Sequence, residues 1–167
     1  KNKMTRLNLI EPGHLTRVHL VAEYKELTQF LHLIQRRIDN NVAMDDIPDR
    51  YTLNGGHCKF FYNKGKYVYD RYKLLYENMI SRDINTNVER FKHHLNRIYC
   101  AYTKELWCEY IPTPRDYKIA IDRIAERIIQ KPQLYKDKEV FFKNIKHYGI
   151  SDYEYTNNIP RDTTLTS

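Results

Sequence analysis

The chain is 167 residues long, enough for one domain with a real core and too short for two of ordinary size. Lysine and arginine outnumber aspartate and glutamate by 28 to 21, and the resulting formal charge of +7 favours a polyanionic partner such as nucleic acid, although a merely solvated basic surface has the same balance. Cys58, Cys100 and Cys108 lack C-x-x-C spacing and no apolar run approaches the ~20 residues of a membrane span, which argues against a disulfide framework, a thiolate metal site and a membrane protein, and leads us to expect a soluble chain in a reducing, intracellular compartment.

In chain order, the first question is where the active form begins. KNKMTRLNL offers Met4 as an initiator. Its removal leaves Thr5 with a free α-amine beside Arg6, whereas retention of Lys1 leaves Thr5 amide-bonded. From Thr16 to about Asn40, Val18, Val21, Tyr24, Leu27, Leu31, Ile34 and Ile38 recur at steps of three and four, which predicts a helix. A turn-rich stretch through Asp45, Asp46, Pro48 and Asn54-Gly55-Gly56 follows. Helical spacing returns from Tyr67 to Ile80 through Val68, Tyr72, Leu75 and Met79. Between Asn85 and Trp107 the pattern is ambiguous, with FKHHLNRIYCAY a further helix candidate. Thr113-Pro114 reads as an N-cap and a first-turn proline, opening a helix that ends near Lys131-Pro132 and turns Ile119, Ile124 and Ile128 inward. From Ser151 the chain is polar and aperiodic, so we expect a domain over residues 1–150 and a loose tail over 151–167. With no internal repeat and no strand alternation, the expected fold is all-α: a compact bundle of three to four helices with long loops.

Three groups of residues could carry chemistry. On the first helix His19, Glu23 and Glu26 share a face away from most of the apolar stripe. Such a set is a solvated face or, bracketed by Arg6, Lys25, Arg36 and Arg37 and laid beside phosphates, an acid/base or charge-stabilising device. On the last predicted helix Arg123, Arg127 and Lys131 form a basic ridge suited to phosphate contact, with pairing of Arg123 to Glu126 as the alternative. GGHCKFFYNKGK mixes His57, Lys59, Lys64 and Lys66 with Phe60, Phe61 and Tyr62. That interleaving suits a nucleic-acid surface. Equally, the two phenylalanines are core candidates and a lone His57 is a candidate for a hydrogen-bonded structural residue; for the phenylalanines the core reading is preferred. Walker, dinucleotide, G-x-S-x-G and H-E-x-x-H motifs are missing.

Taken together, MTRLNL followed by HLVAEYKEL, then GGHCKFFYNK, then EYIP with RIAERIIQKPQLYK, resemble in order and separation the pyrimidine-dimer DNA glycosylase/AP lyases, the endonuclease V family known from T-even phages. The resemblance implies an all-α enzyme without metal or other cofactor, acting as a monomer on double-stranded damaged DNA and extruding a base to reach the sugar. It implies that the Thr5 α-amine is the nucleophile and that Glu26, at the position of the family's catalytic glutamate, stabilises the sugar cation and assists proton removal. Arg6 and His19 match positions next to the reaction centre. Arg123, Arg127 and Lys131 match the basic C-terminal helix, and Tyr135 and Lys136 the loop after it.

The chain departs from the family pattern in several places. Lys25 stands where the family often has arginine and Gln29 where its phage member has another, so the planar fork that grips phosphate is missing there. Leu134-Tyr135 replaces a Trp-Tyr loop, which bears on lesion specificity. The residues between Ile84 and Leu106, and those after Lys146, exceed the usual compact length. A chain beginning at Thr5 is expected to be the active form, with Lys-Asn-Lys-Met an upstream extension. The alternatives are a catalytically silent DNA-binding relative and a basic helical module that binds RNA or protein.

Overall fold

The computed structural model describes residues 6–150, and over them the chain is all-α, without a strand. Its helices are α1 (Arg17–Asp39), α2 (His57–Phe60), α3 (Gly65–Ser81), α4 (Val88–Ala101), α5 (Pro114–Gln130) and α6 (Lys138–Asn144). Four of these are long enough to form the expected bundle. Short 3-10 turns at Pro12–His14, Lys104–Leu106, Pro132–Leu134 and Ile145–Tyr148 complete it. Thr5 and the expected tail over 151–167 lie outside the described residues. No helix among the described residues is long and apolar enough to cross a membrane.

The first helix starts where its sequence directs because the Thr16 hydroxyl oxygen accepts the His19 N–H at 3.2 Å. Its first turn carries no acid of its own. The Asp137 carboxylate supplies one from far along the chain, accepting the Arg17 N–H at 2.7 Å at the positive end of the helix dipole. Leu20, Leu27, Phe30, Leu31 and Ile34 are buried beneath this helix. Val18, expected in the apolar stripe, is 44% exposed and lines a cleft instead, because at about 3.6 residues per turn it lies on the side of the helix opposite Leu20, Leu27 and Ile34.

In α5 the Thr113 oxygen accepts the Asp116 N–H at 3.2 Å and Asp116 Oδ2 accepts the Thr113 N–H at 3.1 Å, a closed capping box with Pro114 in the first turn. Ile121, Ile124 and Ile128 form its buried face; Ile119, expected inward, is only partly covered.

Helix α4 resolves the ambiguous stretch. Asn87 caps it by accepting the Arg90 N–H at 2.8 Å, and rings dock it: Phe91 stacks on Tyr76 with centroids 3.7 Å apart and lies 5.5 Å from Tyr72, which itself stacks on Tyr24 of α1 at 5.2 Å. The far end of α4 is pinned where Tyr102 donates its hydroxyl to Phe61 O at 3.0 Å. Gly65 is required at the start of α3, since a Cβ there would lie 2.4 Å from the Tyr102 ring. The C-terminal turn folds back on the start of the chain, with the Glu11 N–H donating to the Tyr148 hydroxyl at 2.8 Å.

Candidate active site

Residues 7–10 precede the first helix, belong to no helix or sheet, and are largely buried: Leu7 and Ile10 are fully enclosed, Leu9 nearly so and Asn8 half-buried. Their backbone groups therefore need partners, and buried side chains provide them. The Leu7 N–H donates to His57 Nε2 at 2.9 Å, and the Tyr51 hydroxyl donates to Leu7 O at 3.0 Å. The Asn8 N–H donates to Glu23 Oε1 at 2.5 Å. Arg71 Nη1 donates to Leu9 O at 3.2 Å and to Ile10 O at 2.6 Å. Between these anchors the Ile10 N–H reaches Asn8 O at 2.7 Å, closing a three-residue turn with Leu9 at φ 63°. A left-handed leucine costs about 1–3 kcal/mol, and the surrounding hydrogen bonds hold it there.

Glu23 and Arg71 are the centre of this network. Both are buried, and they meet as a bidentate pair, Nε to Oε2 at 2.7 Å and Nη2 to Oε1 at 3.1 Å. Burial opposes the Arg71 charge, but Glu23 and then Tyr67 outweigh it and hold the guanidinium above its ordinary value. This corrects the reading of Glu23 as part of a solvated face. It sits among the apolar residues of α1 and is tolerated there because a guanidinium on α3 and a backbone N–H satisfy both oxygens.

His57 is the structural residue that one reading of its motif anticipates. Because Nε2 accepts a backbone N–H, the ring proton sits on Nδ1, which donates to Thr52 O at 2.8 Å. Burial lowers this imidazole to about 4, against the Thr52 contact and with help from Arg6. Phe60 and Phe61 are core, as their preferred reading has it.

The anchored segment runs along a cleft of about 410 Å³ between α1 and α5. Arg6 enters it first, followed by Asn8; Glu26 and His19 project from α1, Arg123 and Arg127 from α5, and Tyr135 closes one side. Burial first and then Arg123 depress the Arg6 guanidinium, against Tyr51 and with a smaller lowering by Arg127, so the three arginines share a field of one sign. Arg123 also meets Glu126 at 2.8 Å, the pairing that the sequence offers as an alternative. Although so paired, Arg123 is only partly exposed and still lines the cleft. Burial holds the His19 imidazole to about 4, opposed by Asp137 and reinforced by Arg127, so the ring is neutral at pH 7. Its Nδ1 lies 2.7 Å from Thr16 Oγ1 and its face stacks on Tyr135 at 4.8 Å. A neutral imidazole, a half-buried carboxylate and three guanidiniums thus share one cleft, an arrangement suited to holding an anionic ligand beside an acid/base pair.

Arg6, His19, Glu26, Arg123, Arg127 and Tyr135 are thus brought together, from segments far apart in sequence. Lys25 and Gln29 lie on an exposed flank of α1, outside the cleft lining. Lys131 ends α5, its N–H donating to Arg127 O at 3.3 Å, and Lys136 is exposed on the following loop; neither lines the cleft. Tyr135 is 9% exposed while its neighbour Leu134 is 53% exposed, so the loop presents leucine and not tyrosine to the surroundings. Arg71 is the residue that sequence reasoning missed. Its signal was an arginine on the apolar face of the second predicted helix, between Val68 and Leu75, matching a glutamate between Leu20 and Leu27 on the first. Among the described residues no group of three or more His, Cys, Asp or Glu side chains is placed to hold a metal ion.

A family model described as pyrimidine dimer DNA glycosylase matches residues 4–92. The match spans the anchored N-terminal segment, α1 with His19, Glu23 and Glu26, the His57 turn and α3 with Arg71, and it ends inside α4. It covers more than half of the chain, which therefore belongs to the pyrimidine dimer DNA glycosylase family, enzymes whose substrate is DNA.

Proposed function

We propose that the protein is an imine-forming glycosylase and AP lyase that acts as a monomer on cyclobutane pyrimidine dimers in double-stranded DNA, with the α-amine of Thr5 as nucleophile in a chain that begins there. The observation that carries this reading is the anchoring of residues 7–10 by His57, Tyr51, Glu23 and Arg71, which directs the chain into the cleft at Arg6 beside Glu26. A nucleophile two residues before an immobilised backbone pays little entropy to reach a sugar in that cleft.

An α-amine has an ordinary pKa of about 7.7–8.0, against about 10.4 for a lysine, so far more of it is neutral at pH 7. Three arginines in the cleft favour the neutral amine further. The nitrogen lone pair attacks C1′ as the glycosidic bond breaks, and the departing base takes the bonding electrons. Glu26 faces the positive charge that develops on the sugar. Loss of a proton from nitrogen and opening of the ring, with O4′ taking up a proton, leave a C1′=N imine. Glu26 then assists removal of a C2′ proton; the electron pair shifts toward the imine, the C3′–O bond breaks, and the phosphate leaves on the downstream strand. Hydrolysis of the imine returns the amine. The iminium is the electron sink, so the sequence of steps needs no metal. Arg123 and Arg127 hold flanking phosphates while a base is extruded from the stack.

The test compares chains beginning at Thr5 and at Lys1 on a dimer-containing duplex in excess EDTA. The Thr5 form should be trapped by borohydride and cleave the strand, with the sugar on the Thr5 nitrogen by peptide mapping; the Lys1 form should bind but trap poorly. Equal trapping of both forms, an adduct on a lysine side chain, or metal-dependent incision would overturn the proposal.

A further inference from the structure

Outside the cleft, the strongest unassigned feature is a basic valley between α1 and α4. On α1, Lys25, Gln29, His32 and Arg36 are spaced i, i+4, i+7 and i+11, so they share one face, and all four are exposed. This face adjoins the one that carries Glu26. On α4, Arg90, His94 and Arg97 are spaced i, i+4 and i+7. The two stripes meet along their length. Lys25, Thr28, Arg90 and His94 line one cavity of about 220 Å³, and seven residues further along each helix Arg97 Nη2 lies 3.4 Å from His32 Nδ1. The helices therefore run in the same direction, and the valley between these two points is about 10 Å long.

Its charge is not neutralised. Among the described residues none of Lys25, His32, Arg36, Arg90 and Arg97 is ion-paired to a carboxylate; the nearest acid on α4, Glu89, faces Lys92 at 3.9 Å. The field is felt within the valley: burial first, then Arg97, His93, Arg90 and His32, all lower the His94 imidazole in the same sense. Cations held this close without acids gain from an anion, and Arg forks match phosphate oxygens bidentately. Stacking of Phe91 on Tyr76 and the Tyr24–Tyr72 pair fix α4 to the bundle, so the guanidiniums are presented from a rigid support.

We propose that this valley is a second phosphate-binding track, in which Arg90, His94 and Arg97 of α4, with Lys25 and His32 of α1, receive the DNA backbone flanking the lesion. The proposal rests on the reading of the cleft as the reaction site. A strand whose sugar lies at Glu26 continues past Lys25 into the valley, whose length of about 10 Å spans more than one phosphate of that strand. Arg97 and His94 lie beyond the family match, which ends at Lys92, so the track is an addition to the general pattern and gives the ambiguous 84–106 segment a role. It also supplies on α4 the guanidinium forks missing at Lys25 and Gln29.

The test is the double variant Arg90→Gln/Arg97→Gln, whose side chains make no ion pair, with helicity checked by circular dichroism. Affinity for a dimer-containing duplex is measured between 50 and 200 mM salt, a range wide enough to define the slope. Loss of two phosphate contacts should flatten the slope of log K against log salt by about 1.8. Incision at saturating DNA should stay within about twofold. Arg90→Lys/Arg97→Lys should recover most of the slope. An unchanged slope in the Gln variant, while Arg123→Ala/Arg127→Ala lowers it, would overturn the track and leave the cleft reading intact. A flattened slope in a wild-type background that neither traps nor incises would uphold the track as a DNA site and remove the proposed chemistry.

Discussion

His57 gives the sharpest link between geometry and a measurable quantity. Its Nε2 must be unprotonated to accept the Leu7 N–H, and protonation would set two N–H groups against each other in a buried position. An imidazole that titrates near 6.5 in the unfolded chain and at about 4 in the fold binds its proton more readily when unfolded. Stability then rises with pH across that window: the contribution is complete above pH 6.5 and is lost as pH falls through 4. At about 1.4 kcal/mol for each tenfold change, His57 contributes about 3 kcal/mol at neutral pH that is absent in acid. His19, also lowered to about 4 by burial, adds a second contribution in the same window. Urea unfolding followed by circular dichroism from pH 8 to pH 4 measures the sum. His57→Gln should be less stable at pH 7 by about 1–3 kcal/mol, because the Leu7 and Thr52 hydrogen bonds are lost or bent. Its acid-dependent loss should be smaller than that of the wild type, with His19, His14 and His94, all lowered by burial, still titrating there. Parallel acid limbs in the two proteins, or a folded-state His57 resonance titrating near 6.5, would refute the reasoning.

Arg71→Met leaves the Glu23 carboxylate buried without its guanidinium and should cost about 3–5 kcal/mol in unfolding free energy, whereas Glu23→Met combined with Arg71→Met should cost much less; a loss below about 1 kcal/mol for the single variant would deny the pair its anchoring role. Glu26→Gln should lower single-turnover incision by at least about a hundredfold with damaged-DNA affinity nearly unchanged, as for a charge used in the transition state, while Glu23→Gln should chiefly lower the unfolding midpoint; equal loss of incision at matched folded fraction would merge the two roles. Leu134→Trp places a large ring at the exposed loop position and should raise the preference for dimer-containing over undamaged duplex, stacking being worth about 1–3 kcal/mol per base. Tyr135→Ala should act differently, freeing the His19 ring and lowering stability as well as discrimination; a change in discrimination without any loss of stability would place Tyr135 on the DNA instead.

Much of the fold was legible because helices are local. The 3.6-residue period across Leu27, Leu31 and Ile34, the Thr16 cap and the Thr113-Pro114 start each depend on residues within a few positions, and α1, α3 and α5 form where those signals lie. Helix α4 was only a candidate because its apolar positions Phe91, Leu95 and Ile98 are few and its docking depends on rings from α3. Helix α6 left no expectation at all: it is two turns long, and Phe141 and Phe142 are buried only once the chain has folded back. The same division runs through the site. Spacing alone placed His19 and Glu26 on one face of α1, and the basic ridge on α5.

What the sequence by itself determined, then, is the three long helices α1, α3 and α5, most of the face each presents and, through its motifs, the family. The tertiary structure decided which charges are buried, which meet, and where the chain enters the cleft. Glu23 is 48 residues from Arg71 and Leu7 is 50 from His57, and neither contact leaves a periodic trace. The physical reason is the range of the forces involved: helix formation responds to neighbours within a turn, whereas the cost of burying a charge or a backbone N–H is settled by whichever partner the completed fold delivers to it.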